Sequence, residues 1–360
     1  MLKGAVFGHS VAVVLIAASV AASAAPALPE MTEKAVDRYL VPRFEKFGKA
    51  TAKLAADLEA ACSGKQKRLS AVREDFNRTV LAWAEVEFLR FGPMSVTGRP
   101  ERISFWPDPR MVMQRQLRTL IARRDPTALD PAGLAEKSAA VQGLPALEAL
   151  LGDVKQPITT GDEEGRYRCR LAVAVAQNLA SIARDVVSEW GGEQGWRRRM
   201  REPGPENASY KTQAEPPAEF ARALVTGLQM IQDRQVAPLM AASASPGKPL
   251  TLPFAPSGLS ARYVAAEIGS LKALYETMGL GRDVPKNKAW MPRWIPMAFE
   301  RLAHDAPAAI ENATNGKNDP DRERELRMLR FHVEGIRKLV GRELAPLAGL
   351  TIGFNELDGD

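Results

Sequence analysis

The chain has 360 residues, 45% apolar, 26% charged and only 6% aromatic, with a formal net charge of +6. That length is ample for one large domain or two ordinary ones, and 27 Gly with 26 Pro is too few for a collagen-like or wholly disordered chain. A mean hydropathy of -0.21 with a single long apolar run excludes a multi-pass membrane protein.

That run lies at the N-terminus. Lys3 precedes the apolar core Val11–Val20, and Ala22-Ser23-Ala24 follows with small residues where a signal peptidase reads. The core is too short to cross a bilayer. The pattern predicts a signal peptide over residues 1–24, cleavage after Ala24, and a periplasmic protein with no stable membrane insertion once cleaved. Cys62 and Cys169 both fall in the mature chain. An even cysteine count in an oxidising compartment predicts a disulfide between them.

Ala and Leu are abundant while β-branched and aromatic runs are scarce, which favours helices. Val36, Leu40, Phe44, Phe47, Leu54 and Leu58 follow helical spacing and predict a helix over 31–61, ended by Ser63-Gly64. Leu69, Val72, Phe76, Val80, Trp83 and Val86 predict a second over 67–91, stopped by Gly92-Pro93. Residues 94–108 are irregular. Asp108-Pro109 and Asp130-Pro131 each place a capping acceptor before a proline, opening helices over 109–123 and 131–151. A long helix is expected over 162–190, with Leu171, Val175, Leu179, Ile182 and Val186 on one face. Residues 191–217, rich in Gly, Pro and charge, read as a loop or linker. Further helices are expected over 217–242, 258–279, 290–304 and 320–348, the last opened by Asp319-Pro320. No strand-like alternation and no internal repeat is evident. The fold class is therefore all-α, with helical bundles over 25–190 and 218–360 joined by the 191–217 segment.

Metalloprotease, CxxC, P-loop, GxSxG and dinucleotide-binding motifs are all absent. The mature chain holds two histidines, His304 and His332, on different predicted helices, where zinc hydrolase sites usually draw on two or three. Arg197-Arg198-Arg199 reads as a solvated loop, and nucleic-acid binding is not expected. The segment Gln142-Gly143-Leu144-Pro145-Ala146-Leu147-Glu148 is more informative. Pro145 has no N–H to give the carbonyl of Val141, so a helix here must kink or restart. Either outcome frees carbonyls near Gln142 and sets Glu148 in a first turn, where the helix dipole favours an anion.

Several stretches together resemble the imelysin-like family of bacterial envelope proteins. They are Tyr39-Leu40-Val41-Pro42-Arg43-Phe44, Leu89-Arg90-Phe91-Gly92-Pro93, Phe105-Trp106-Pro107-Asp108, Val141 to Leu151, and Gly349 to Asn355. The resemblance implies two helical bundles side by side. It also implies a G-x-H-x-x-E motif, which the chain matches at Gly143 and Glu148 and breaks at Pro145. Members with the intact motif are associated with iron uptake or regulation, and some are described as metallopeptidases. A lone carboxylate is a weak holder of a transition metal, so peptidase activity is not expected here. The expected function is a periplasmic binding or accessory protein linked to iron or another divalent metal, with other envelope proteins as partners. A metallopeptidase, or an envelope scaffold whose site has decayed, are the alternatives. The expected binding site gathers Gln142, Gly143 and Glu148 with Arg102, Trp106 and Asp108, and Glu148 is its one metal-ligand candidate. Arg102 is the natural counter-charge for Glu148.

N-terminal sequencing of the exported protein is expected to begin at or near Ala25. Recovery of Met1 would remove the basis for export.

Overall fold

The computed structural model describes residues 27–64, 69–96, 98–152, 158, 161–245, 249–315 and 321–353. The expected signal peptide and the Asp319-Pro320 helix start lie outside these residues. Among them there are helices and turns but no strand.

The first expected helix forms as α1 (Leu28–Lys34), a π-helical segment (Ala35–Leu40) and α2 (Val41–Cys62) in unbroken succession. Phe44, Phe47, Leu54 and Leu58 line the buried face of α2, which packs on α3 (Leu69–Ala84) and α8 (Glu163–Trp190). α8 begins where the Asp162 carboxylate accepts from the backbone N–H of Gly165 at 2.6 Å. Cys62, at the end of α2, and Cys169, in the second turn of α8, form the expected disulfide, with Cα atoms 5.7 Å apart. α3 ends at Ala84, earlier than expected, because the chain turns inward over 85–88 and buries Glu87, Phe88 and Leu89.

The middle of the chain is more broken than its periodicity suggests. After α4 (Arg99–Ile103), α5 (Val112–Arg123) starts later than Asp108-Pro109 implied. Both Asp108 oxygens reach across the turn, accepting from Val112 N at 2.8 Å and Met113 N at 2.9 Å. The single helix expected over 131–151 is three pieces: α6 (Pro131–Ala135), a 3-10 turn (Ala139–Val141) and α7 (Leu144–Gly152). Asp130 caps α6 as expected, through Gly133 N at 3.0 Å. The 191–217 segment contains α9 (Trp196–Arg201) and buries Met200 and Tyr210.

The second half is built from α10 (Glu215–Ile231), α11 (Ala237–Ala244), α12 (Ser260–Met278), α13 (Met291–Thr314), α14 (Arg322–Lys338) and α15 (Ala345–Leu347). α12 packs on α10 and α13, and α14 packs on α10 and α13. α13 runs past the expected end at 304, carrying Pro296 and Pro307 within it. α12 also lies against α3 and the Ala35–Leu40 segment, so both halves share one continuous core. Gly227 permits the close approach there. A Cβ on it would sit 2.6 Å from Leu271 and 3.1 Å from Phe88.

A short repeat emerges that periodicity alone does not reveal. Arg38-Tyr39-Leu40-Val41-Pro42, Arg234-Gln235-Val236-Ala237-Pro238 and Arg342-Glu343-Leu344-Ala345-Pro346 share the pattern R-x-[LV]-[AV]-P. Each ends a π-helical segment: Ala35–Leu40, Gln232–Val236 and Leu339–Leu344. The cause is proline's missing N–H and its clash with the carbonyl four residues back. The residue before each proline instead donates five residues back, to Val36, Gln232 or Val340. A widened turn carries the helix past the proline without ending it.

Replacing Cys62 and Cys169 together with Ser is expected to cost about 4 kcal/mol, the loop-closure entropy of a bridge spanning 107 residues. Chemical denaturation should show a lower midpoint. An unchanged midpoint would mean that the bridge adds no stability.

Candidate functional site

The helix restart at Leu144 organises the expected site. A Cβ on Gly143 would lie 2.3 Å from the carbonyl oxygen of Ile103 and 2.7 Å from that of Arg102. Only glycine lets the end of α4 rest on this bend. Arg102 donates through Nε to Gln142 Oε1 at 2.8 Å and through a terminal nitrogen to Asn178 Oδ1 at 3.4 Å. Asn178 in turn donates to the Gln142 carbonyl at 3.3 Å. The Gln142 amide nitrogen donates to Lys137 O at 2.6 Å and Ala135 O at 3.1 Å. The structure thus brings Arg102, Gln142 and Gly143 together as a buried polar knot that fastens α4 and α8 to the bend before α7.

Glu148 stands apart from this knot. It is the fifth residue of α7, in the second turn and not the first. Five residues carry it about 140° round the helix from Gly143, away from Arg102. Arg102 and Glu148 therefore do not pair. The buried Glu148 carboxylate accepts from the backbone N–H of Ser257 at 2.9 Å, pinning the segment before α12 to the first half. Burial pushes its pKa up, against the lowering effect of the Ser257 contact. Asp108 caps α5, and Trp106 is half-buried in the extended segment before it. Pro145 offers no side-chain ligand atom, and the Glu148 carboxylate is engaged by Ser257. Among the described residues no three His, Cys, Asp or Glu side chains gather as a metal-holding group. These residues do not fit a resident catalytic metal.

The most unusual chemistry lies deeper, where the halves meet. The 85–88 turn carries Glu87 inward, the π segment before Pro238 carries Arg234 and Gln235, and α12 carries Tyr263 and Glu267. Glu87 and Glu267 are each less than 3% exposed. Arg234 donates to Glu87 Oε1 at 3.0 Å, and Gln235 donates to Glu267 Oε2 at 2.7 Å. Burial first, and the neighbouring Glu87 second, push the Glu267 pKa well above the usual carboxylate range. Glu267 and the Tyr263 hydroxyl both hydrogen-bond to Glu87. One guanidinium thus faces two buried acids, and burial beside Glu87 favours the neutral form of Glu267. Tyr263 stacks obliquely on Phe254 at 5.0 Å, in the segment that Glu148 anchors. A second knot lies further along α12. Ser270 Oγ accepts from the Tyr39 hydroxyl at 2.8 Å and from Arg43 Nε at 3.1 Å, and donates to the Glu85 carbonyl at 2.8 Å.

Sequence reading misses Glu87, Arg234, Tyr263, Glu267 and Ser270. The available signal is on α12, where Tyr263, Glu267 and Ser270 share a face with Leu271 and Leu274 at helical spacing. A carboxylate in an apolar stripe demands a partner.

The sign of the pH effect follows from the raised pKa of Glu267. Its raised folded-state pKa stabilises the fold in acid, and that stabilisation is lost as pH rises through the raised value. Glu267→Gln keeps a neutral hydrogen-bonding group of the same size. It is expected to stay within about 1 kcal/mol of the parent in mild acid and to flatten the alkaline decline. Urea titrations across pH check both, and an unaltered decline would place its origin elsewhere.

Comparison with known proteins now adds to this geometry. No curated protein matches the sequence. An imelysin-like protein from Psychrobacter arcticum 273-4 superposes with a TM-score of 0.70 at 19% identity, covering 91% of this chain and 98% of that one. A precursor named as iron-regulated protein A, from Parabacteroides distasonis ATCC 8503, gives 0.62 at 14% identity, covering 89% and 95%. At such identities the likeness is one of fold. The Imelysin family model matches residues 40–291, most of the chain, and so this protein belongs to the imelysin family.

Proposed function

We propose that this protein is a periplasmic, non-catalytic binding or accessory protein connected with the handling of iron or another metal. One observation carries the non-catalytic part. The residues that the family resemblance singles out are engaged in holding the fold, Gly143 against Arg102 and Ile103, Glu148 on Ser257. A hydrolytic metal needs a compact ligand set and an open coordination position. Neither Pro145 nor the engaged Glu148 supplies one. The link to iron rests on the family and on the name of the Parabacteroides relative. Export is supported by the 1–24 signal pattern and agrees with the Cys62–Cys169 bridge.

Two measurements test this reading. Transcript levels are expected to rise under iron starvation, and a flat response would sever the link to iron. The purified protein is expected to cleave no protein substrate with or without added divalent metal. Metal-dependent cleavage abolished by Glu148→Gln would restore the metallopeptidase alternative.

A further inference from the structure

α5 carries a strongly basic face outside all the sites above. From Pro109 to Arg124 the sequence holds five arginines, no lysine and no acid. Asp108, the acid just before them, is spent on the N–H groups of Val112 and Met113. Leu117 is the buried residue of α5, and Met113, Leu120 and Ile121 pack beside it on the core. At about 100° per residue, Arg115 points away from Leu117, with Arg118 and Arg123 on the two shoulders of the outward face. All three are exposed, as is Arg110. Arg124 pairs with Glu163 at 2.8 Å, and Arg115 donates to the Arg110 carbonyl. Among the described residues, Arg110, Arg115, Arg118 and Arg123 have no carboxylate partner. The charged helix α14 is different. Its exposed Arg324, Arg327 and Arg330 each pair with an acid three or four residues away, as a solvated helix face does.

Met111 stands where this face begins. It is 58% exposed, more than any other large apolar side chain among the described residues. Its φ of +49° is a left-handed backbone that a residue other than glycine enters at a cost. The strain holds an apolar side chain out in water, one residue from Arg110 and one helical turn from Arg115. Together the free guanidiniums and the projecting methionine select the partner. Guanidinium matches the paired oxygens of a phosphate. The back of a single helix is convex and gives no groove to a partner's side chains, whereas a layer of lipid headgroups needs none. Attraction of basic residues to anionic lipid, joined to a small apolar area entering the interface, is how peripheral helices hold a membrane surface.

We infer that the outward face of α5 is a docking surface for an anionic membrane, with Arg110, Arg115, Arg118 and Arg123 on lipid phosphates and Met111 entering the interface. The contact is peripheral, since no described helix is long and apolar enough to cross a membrane. This inference is independent of the stretch around Gly143 and of any role in metal handling.

Co-sedimentation of the purified exported protein with vesicles tests it. Binding to vesicles of phosphatidylglycerol mixed with phosphatidylcholine is expected, weakening as salt rises, with phosphatidylcholine alone bound far less. Replacing Arg115, Arg118 and Arg123 together with Gln should weaken binding to the anionic vesicles by about tenfold or more. The same triple change at Arg324, Arg327 and Arg330 removes equal charge from α14 and should leave binding nearly intact. Met111→Gly, which suits the left-handed backbone, should weaken it as well. Thermal melts of each variant establish that it folds. Failure to bind the anionic vesicles overturns the inference, as does equal loss from the α5 and α14 triple variants, which would reduce the effect to net charge. Unchanged binding by folded Met111→Gly overturns the apolar part of the contact. Polyglutamate bound as tightly as the vesicles, and lost with the α5 variant, overturns the lipid assignment in favour of an acidic protein.

Discussion

Two carboxylates and a guanidinium buried in the middle of an all-helical core set the terms for the rest of this structure. Removing one ion from water costs several kcal/mol even after relaxation, so the cluster survives only because every element around it delivers a partner. The 85–88 turn brings Glu87, the widened helix before Pro238 brings Arg234 and Gln235, and α12 brings Tyr263 and Glu267. Displacing any of these elements would strand a charge. The cluster thus ties α3, α10 and α12 into one register, and through Phe254 and Ser257 it reaches the helix that carries Glu148.

The π-helical segments are how the chain supplies such partners without breaking its long helices. An α-helix presents a fixed stripe, and a polar residue on the wrong side of that stripe cannot reach inward. One widened turn shifts the face of everything after it. In the repeated R-x-[LV]-[AV]-P pattern, the residue after each arginine makes a polar contact across the fold: Tyr39 with Ser270, Gln235 with Glu267, and Glu343 with Lys288 at 2.5 Å. Proline fixes where the turn widens, so the polar residue is placed by covalent geometry as well as by packing.

Much of the architecture is legible in the sequence. Helical spacing at Phe44, Phe47, Leu54 and Leu58 and at Leu171, Val175 and Leu179 identifies the faces that pack as α2 on α8, and cysteine parity identifies the bridge between them. Asp130 reads correctly as a cap because its contact is local. Asp108 is a cap too, but of a helix that begins later, since a side chain can reach past a turn. The site was less legible. Arg102 and Gln142 meet as expected, whereas the direction of Glu148 depends on where α7 restarts, and a shift of about two residues would turn it to the opposite side. The buried acids escape detection for another reason. Their partners are 147 and 32 residues distant, and no local pattern announces a contact over such separations.

Pro145 shows how architecture and chemistry separate in such a fold. It occupies the second position of α7, where a backbone N–H has no partner within the helix and where proline's fixed φ suits the start. The resemblance to the family puts a histidine at this position. Its exchange for proline would cost the helix nothing and would even favour the restart, while removing a nitrogen ligand outright. Gly143 and Glu148 have no such freedom. The first is wedged against the carbonyls of Arg102 and Ile103, and the second is buried on the Ser257 N–H. In this chain architecture and chemistry thus separate along a physical line: Gly143 and Glu148 hold the fold together, while Pro145 serves the start of α7 and offers no side-chain ligand.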